Sequence, residues 1–354
     1  RKVTGPCSGQ QPVVRCSVLP AHPAHAPIGG GMKKLGMFFI AVAVLAFTAA
    51  VSRAADEYPG KPIQLIVPYG AGGLTDIAAR MVAERMGKIL RNSILVVNKP
   101  GAGTSIGAGF VAASPPDGHT ILINMTGGAV VTPMIMPNLS YKMSDLKPIG
   151  KMMSAVYLVL AGRDLPVKTL PELIAYAKKN PDKLAYASPG VGTVNHLAME
   201  QLNVQNQLGM QHIPYTSELQ VINAVMGNHV QAGAVTVPFS LKFIQGNQVR
   251  ALAILGESRD RLLPDVGTSA EQGFPELIAS IYNVLFAPAK TPAPILRQLE
   301  DALRTALQDP ELVASLGKMQ FKIDFLNSAD TERFLDDEVK KWAAVIKRAN
   351  ITAK

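Results

Sequence analysis

From Ile63 onward, short apolar runs alternate with stretches whose apolar residues recur every three or four positions. The first pattern predicts strands at 63–69, 94–97, 121–124, 156–161, 184–186, 211–213, 230–235, 251–255 and 284–287. The second predicts helices at 76–90, 170–179, 195–202, 219–226, 294–308 and 329–347. In the last of these, Phe334, Val339, Trp342 and Ile346 share one face with charges opposite, so that helix is read as packing. Alternating strand and helix is the mark of βαβ units and largely parallel sheets. No internal repeat is obvious, although strand, glycine-rich turn and helix follow one another once in each half. Proline-bounded turns at 162–166 and 288–294 suit crossings between domains. They suggest a first domain of residues 56–161 and 284–354 and a second of residues 162–283, with a hinge between.

The two glycine-rich turns carry the candidate chemistry. The first, VPYGAGGLTD (67–76), offers Gly70, Gly72 and Gly73, with Thr75 as a candidate N-cap and Asp76 in the first helical turn. Asp76 would salt-bridge a ligand amine, repel an anion, or only cap its helix. The second, YASPGVGTVNH (186–196), offers Ser188, Gly190, Gly192, Thr193 and His196. Each turn aims main-chain N–H groups at a helix start, where the peptide dipoles favour an anion. Two such half-sites facing across a cleft would hold a small carboxylate. Gly73→Val or Gly192→Val is then expected to abolish binding through backbone strain and steric blockage while leaving the fold mostly intact.

A serine–histidine catalytic pair of Ser188 and His196 is the sharper reading of the second turn. It lacks the G-x-S-x-G elbow, and no orienting acid or metal-spaced partner accompanies it. A third run, PGAGTSIGAG (100–109), imitates a dinucleotide fingerprint, but its spacing is G-x-G-x-x-x-G and no acidic strand end follows. Catalysis, metal and cofactor are therefore not expected.

The N-terminal region changes the charge picture. Residues 1–31 are rich in Pro, Gly and His without a hydrophobic period and read as an upstream leader outside the fold. Met32, Lys33 and Lys34 then precede sixteen apolar residues (35–50), and Ser52 and Ala54 suit a cleavage site, so 32–54 reads as a secretory signal peptide. The chain carries net charge +9, but Arg1, Lys2, Arg15, Lys33, Lys34 and Arg53 all precede the first acid, Asp56, which leaves +3 beyond them. Cys7 and Cys16 also lie there, so no disulfide or thiol nucleophile is expected in the exported part. Dispersed basic residues and few aromatics argue against nucleic acid. A periplasmic monomer is expected.

Over nearly the whole exported part, the chain resembles the tripartite tricarboxylate transporter receptors, the Bug-type or TctC-like periplasmic solute-binding proteins. The resemblance rests on YPGKPIQLIVPYGAGGLTDIAAR (58–80), VNKPGAG (97–103), PPDGHTIL (115–122), PELIAYAKKNPDKLAYASPGVGTVNHLAMEQL (171–202), RLLPDVGTSAEQGFPEL (261–277) and FAPAKTP (286–292). It implies a two-lobed α/β fold of the periplasmic-binding-protein type (type II, Venus flytrap), with a mixed, mostly parallel sheet in each lobe. It also implies a ligand carboxylate held by main-chain N–H groups and waters. Carried over by position, the first lobe contributes Tyr69, Gly70, Ala71, Gly72, Gly73, Thr75 and Asp76, with Thr126 and Gly127 in its wall. The second contributes Ser188, Pro189, Gly190, Gly192, Thr193 and His196, with Val237 in its wall.

Three departures mark this chain: Thr216-Ser217 follows Pro214-Tyr215, Tyr282-Asn283 replaces a common tryptophan, and 126–129 reads Thr-Gly-Gly-Ala. The expected ligand is a dicarboxylate, tricarboxylate, aromatic acid or acidic amino acid, passed to a membrane permease or a sensor. The alternative is an exported hydrolase or isomerase acting on a small carboxylic acid.

Overall fold

The structure, a computed structural model, describes residues 58–352, so the leader and signal-peptide readings lie outside the described residues. Its strands are β1 (Ile63–Val67), β2 (Ile94–Asn98), β3 (Thr120–Met125), β4 (Leu146–Gly162), β5 (Ala185–Ser188), β6 (Gln211–Pro214), β7 (Ala232–Thr236), β8 (Val249–Ile254), β9 (Ser280–Pro288) and β10 (Lys322–Leu326). Its helices are α1 (Leu74–Leu90), α2 (Ser105–Ala112), α3 (Thr132–Ile135), α4 (Leu170–Lys179), α5 (Val194–Asn206), α6 (Glu218–Met226), α7 (Val237–Gln245), α8 (Ala293–Ala306), α9 (Pro310–Lys318) and α10 (Ser328–Ala349). Among the described residues, no helix is long and apolar enough to cross a membrane.

The strands run in the order β2-β1-β3-β9-β4-β7-β5-β6, with β10 and β8 also paired to β4. Parallel pairs β1–β2, β1–β3, β5–β6 and β5–β7 lie outermost, and every pair made by β4 or β9 is antiparallel. β4 is the strand that joins the two ends of this sheet. Residues Leu146 to Val156 pair with β9, whereas Tyr157 to Gly162 pair with β7 and β8. The changeover in pairing partner therefore falls inside one continuous strand, at Val156 and Tyr157. Bonds from the Tyr157 amide to Ala279 O (3.2 Å) and from the Leu255 amide to Tyr157 O (2.8 Å) fasten it.

The first half of β4 was not legible as strand because Pro148 and Gly150 interrupt it. Register shifts between those residues show the irregularity they create. Helix α2 was missed for a related reason, since its glycines carry low helix propensity. A Cβ on Gly107 would lie 2.8 Å from Pro68 Cβ and 3.0 Å from Lys99 O, so this glycine lets α2 press against the first turn. The third glycine run is thus a packing device. In α10, Trp342 is fully buried and donates to Glu338 Oε2 at 2.9 Å, as the amphipathic pattern anticipated.

Candidate functional site

The two turns share one arrangement where each enters its helix. In the first, Gly72 has φ +81°, Gly73 is the N-cap of α1, and the Gly72 amide donates to Asp76 Oδ2 at 2.9 Å. In the second, Gly192 has φ +76°, Thr193 is the N-cap of α5, and the Gly192 amide donates to His196 Nδ1 at 3.1 Å. In each turn a left-handed glycine is pinned to a buried side chain four residues on. Thr75 is therefore not the cap, as the sequence suggested. It is the second residue of α1, buried, with its hydroxyl 3.0 Å from Met125 Sδ.

Asp76 is 2% exposed, and its acceptor directions are taken. Besides Gly72, it accepts from Arg80 Nε and Nη2 at 3.0 Å each and from Asn98 Nδ2 at 2.8 Å. Burial raises this carboxyl, but the hydrogen bonds from Arg80, Gly72 and Asn98 outweigh it and hold it below its ordinary 3.8. The group that looks ligand-facing in the sequence is a brace behind the turn.

His196 has the corresponding place in the second turn. Because its Nδ1 accepts from Gly192, the neutral ring carries its proton on Nε2, 3.9 Å from Glu200 Oε1. The ring stacks on His212 at 3.9 Å between centroids, and His212 stacks on Tyr186 at 5.0 Å. Burial, then the neighbouring His212, push the His196 pKa down to about 3, and burial pushes His212 down to about 4. Ser188 is fully buried and bonds His212 Nε2 at 2.7 Å, not His196. Its hydroxyl also meets Gly190 O at 3.1 Å and accepts from the Gly190 amide at 3.2 Å.

With these side chains engaged inside the fold, the main chain of the first turn faces outward, whereas Gly192 in the second is buried. Gly70, Ala71, Gly72 and Gly73 are exposed, and Tyr69, Gly127, Pro189, Gly190 and Thr193 are half-buried. Among the described residues, no acceptor meets the amides of Gly73, Leu74, Thr75 and Asp76 in the first turn. In the second turn the same holds for Val194 and Asn195, while the His196 amide bonds Thr193 Oγ1 at 3.3 Å. Thr193 Oγ1 also donates to Gly190 O at 2.8 Å. Thr193→Ala is expected to lower the unfolding free energy by about 1 kcal/mol. An unchanged urea midpoint would show that this cap contributes nothing.

The walls are tied to the turns by polar contacts. Tyr69 OH donates to Asn124 Oδ1 at 2.8 Å and accepts from the Met125 amide at 3.1 Å. Thr126 is buried and clasps β9, donating to Ser280 O at 3.1 Å and accepting from the Tyr282 amide at 3.0 Å. Val237 is 1% exposed and belongs to the apolar core beneath α6 and α7. Ile135, at the end of α3, reaches the second turn: a Cβ on Gly192 would lie 2.2 Å from Ile135 Cδ1. The segment after β3 thus touches the turn after β5. Two cavities, of about 920 and 130 Å³, include no residue of either turn.

Several participants escaped sequence reading. Asn98 and Arg80 brace Asp76 from β2 and α1, and His212 reaches Ser188 from β6. Glu218, whose carboxylate accepts from the Thr236 amide and hydroxyl and from Asn195 Nδ2, is a further omission, because Ser217-Glu218 looks like any capped helix start. Arg80 is a local i,i+4 partner of Asp76, whereas Asn98, His212 and Glu218 act through partners at least eighteen residues away in the chain, which no local signal marks. Among the described residues, no group of three His, Cys, Asp or Glu side chains is placed to hold a metal ion.

A model of the family described as "Tripartite tricarboxylate transporter family receptor" matches residues 78–351. The chain belongs to that receptor family. The receptor is 34% identical to a UPF0065 protein of Bordetella pertussis, over 88% of its own length and 96% of the relative's. It is also similar to the structure of the periplasmic binding protein BugD, with a TM-score of 0.68 and 30% identity over 84% of this chain and 100% of that one. A third likeness is to MatC from Rhodopseudomonas palustris with bound malate, with a TM-score of 0.68 and 26% identity over 82% and 100% of the two chains. The α/β mixed-sheet fold of periplasmic binding proteins expected from the sequence is the fold found.

Proposed function

We propose that this receptor captures a small carboxylate-bearing metabolite in the periplasm, between a lobe of residues 56–161 and 284–354 and a lobe of residues 162–283. The observation that carries the reading is the pair of equivalent turns, each presenting unpaired first-turn amides at a helix start. One carboxylate bridging both turns would favour the closed arrangement, because it touches both sets of donors only there. Water-bridged contacts would let one main-chain cradle accept several acids. The similarity to MatC, which holds malate, and to the periplasmic BugD supports both the ligand class and the location. A closed, loaded receptor would then be recognised by a membrane permease or sensor.

A hydrolase reading has little to stand on. The Ser188 hydroxyl is sealed inside the fold, and Glu200, near His196, is hydrogen-bonded by Tyr186 OH instead of orienting His212. The test is a thermal-shift and calorimetric screen of dicarboxylates, tricarboxylates, aromatic acids and acidic amino acids. A true ligand at a hundredfold excess over Kd should add about 2.7 kcal/mol of stability. If no acid raises Tm, the receptor reading is wrong.

A further inference from the structure

The cavity of about 920 Å³ lies away from both turns, as an open groove at one edge of the sheet. Helix α1 lines one side through Arg80, Ala83, Glu84, Gly87 and Lys88, and β2 lines the other through Ile94, Leu95 and Val96. The turn at 91–93 joins the two sides. Among the described residues β2 pairs only with β1, so it ends the sheet. The Ile63 amide donates to Ser93 O at 2.9 Å and the Lys99 amide to Val67 O at 2.8 Å. Alternate residues of a parallel strand bond the same neighbour, so the main chain of 93, 95, 97 and 99 faces β1. The N–H and C=O groups of Ile94, Val96 and Asn98 therefore point to the open side. No proline and no charged residue guards this edge, which reads Ile-Leu-Val-Val-Asn.

A row of unpaired main-chain groups accepts an extended segment as an added strand, about 4.8 Å away. The side chains around it select that segment. Arg80, Lys88 and Arg91 are exposed cations on the groove, against the single carboxylate of Glu84. Arg80 holds Asp76, and Lys88 meets Glu84 at 2.7 Å. The Arg91 side chain makes no ion pair or hydrogen bond among the described residues. Ile94 and Val96 pack toward the core under α1, whereas Val97 packs toward the opposite one. Leu95, 52% exposed, shares the face of Val97. Successive residues of an added strand would thus face the α1 cations and Leu95 in turn. A second copy of this chain would set two basic rims against each other, which like charges oppose.

We propose that the β2 edge is a docking site for an extended acidic segment of a partner protein. The segment adds as a strand beside β2, bonds the outward groups of Ile94 and Val96, and lays its carboxylates against Lys88 and Arg91. Its alternate, apolar residues meet Leu95. The groove includes no residue of either glycine turn, so this assignment stands independently of the ligand reading above.

The probe is a fluorescein-labelled peptide, Thr-Glu-Val-Glu-Val-Glu-Thr, whose acids and valines alternate as the two faces require. By fluorescence anisotropy it should bind the wild type at least tenfold tighter than the same peptide with lysine for glutamate, and more weakly as salt rises. Lys88→Gln with Arg91→Asn removes two exposed charges, and Asn suits the left-handed φ of 53° at residue 91. That protein should bind the acidic peptide at least tenfold more weakly with little change in Tm. Val96→Pro deletes an outward N–H while keeping the ladder to β1, and should weaken binding as much. If Val96→Pro does not fold, the charge-removed protein decides. No binding of the acidic peptide, equal binding of the lysine peptide, or unchanged affinity in the charge-removed protein overturns the assignment. So does a dimer in sedimentation that Val96→Pro abolishes, which would give the edge to a second copy.

Discussion

Gly192→Val is expected to lower the unfolding free energy by about 2–5 kcal/mol and to abolish ligand-induced stabilisation. Two effects add at this position. The residue sits at φ +76°, where a β-branched side chain is strained, and its Cβ would lie 2.2 Å from Ile135 Cδ1. Relief of either contact moves the amide that His196 Nδ1 accepts, and with it the first turn of α5. Gly73 supplies the contrast, since the backbone strain expected there from sequence is absent. Its φ is −72° and ψ 164°, and the nearest atom to an added Cβ is Gly70 O at 3.4 Å. No backbone strain is available there, so Gly73→Ala should fold like the wild type. The residue in the first turn that corresponds to Gly192 is Gly72, at φ +81°. Urea denaturation and a ligand-induced Tm shift check both substitutions. Full ligand stabilisation in the Gly192→Val protein would remove the second turn from the binding site.

Stability is expected to fall as pH drops from 6.5 toward 3, by a few kcal/mol in order of magnitude. In the unfolded chain a histidine takes its proton near 6.5, whereas His196 does so at about 3 and His212 at about 4 in the fold. Between those values the unfolded chain binds more protons, so acid drives unfolding. The contribution is complete above 6.5 and is lost going down. Protonating His196 also removes the acceptor for the Gly192 amide, so the turn should loosen before the fold is lost. Glu218 works in the opposite sense above its ordinary 4.5, since burial pushes its pKa up against the bonds from Thr236 and Asn195. Asp76, held below 3.8, adds a further loss only in stronger acid. Unfolding free energies measured at pH 7 and pH 4.5 give the slope. His196→Asn, which offers an oxygen near the place of Nδ1, combined with His212→Gln should flatten it. An unchanged slope in that double variant would assign the acid sensitivity elsewhere.

Helix α4 was legible to the residue at 170–179, because Thr169 caps it and its apolar positions fall on one face. The turns were legible as well, since glycines between an apolar run and a helical period need no distant information. Strand β10 and helices α7 and α9 were not read. Each is short, and packing within the tertiary structure holds it more than its own propensity does. Among the candidate site residues, sequence marks the two glycine turns, and the structure shows which of their side chains are engaged inside the fold. Asp76, His196 and Ser188 are polar, adjacent to the glycines and plausible as ligand contacts, yet all three are buried braces.

What the chain determines locally is the pair of anion-ready helix starts, because glycine conformation and unpaired first-turn amides depend only on neighbours along the backbone. What the tertiary structure decided is which groups remain available to a ligand. Asp76 meets Asn98 from β2, Ser188 meets His212 from β6, and Glu218 meets Thr236 from β7. A polar side chain near a turn is drawn to whichever partner folding brings within 3 Å, and that partner lies in another strand. Periodicity along one segment carries no record of it.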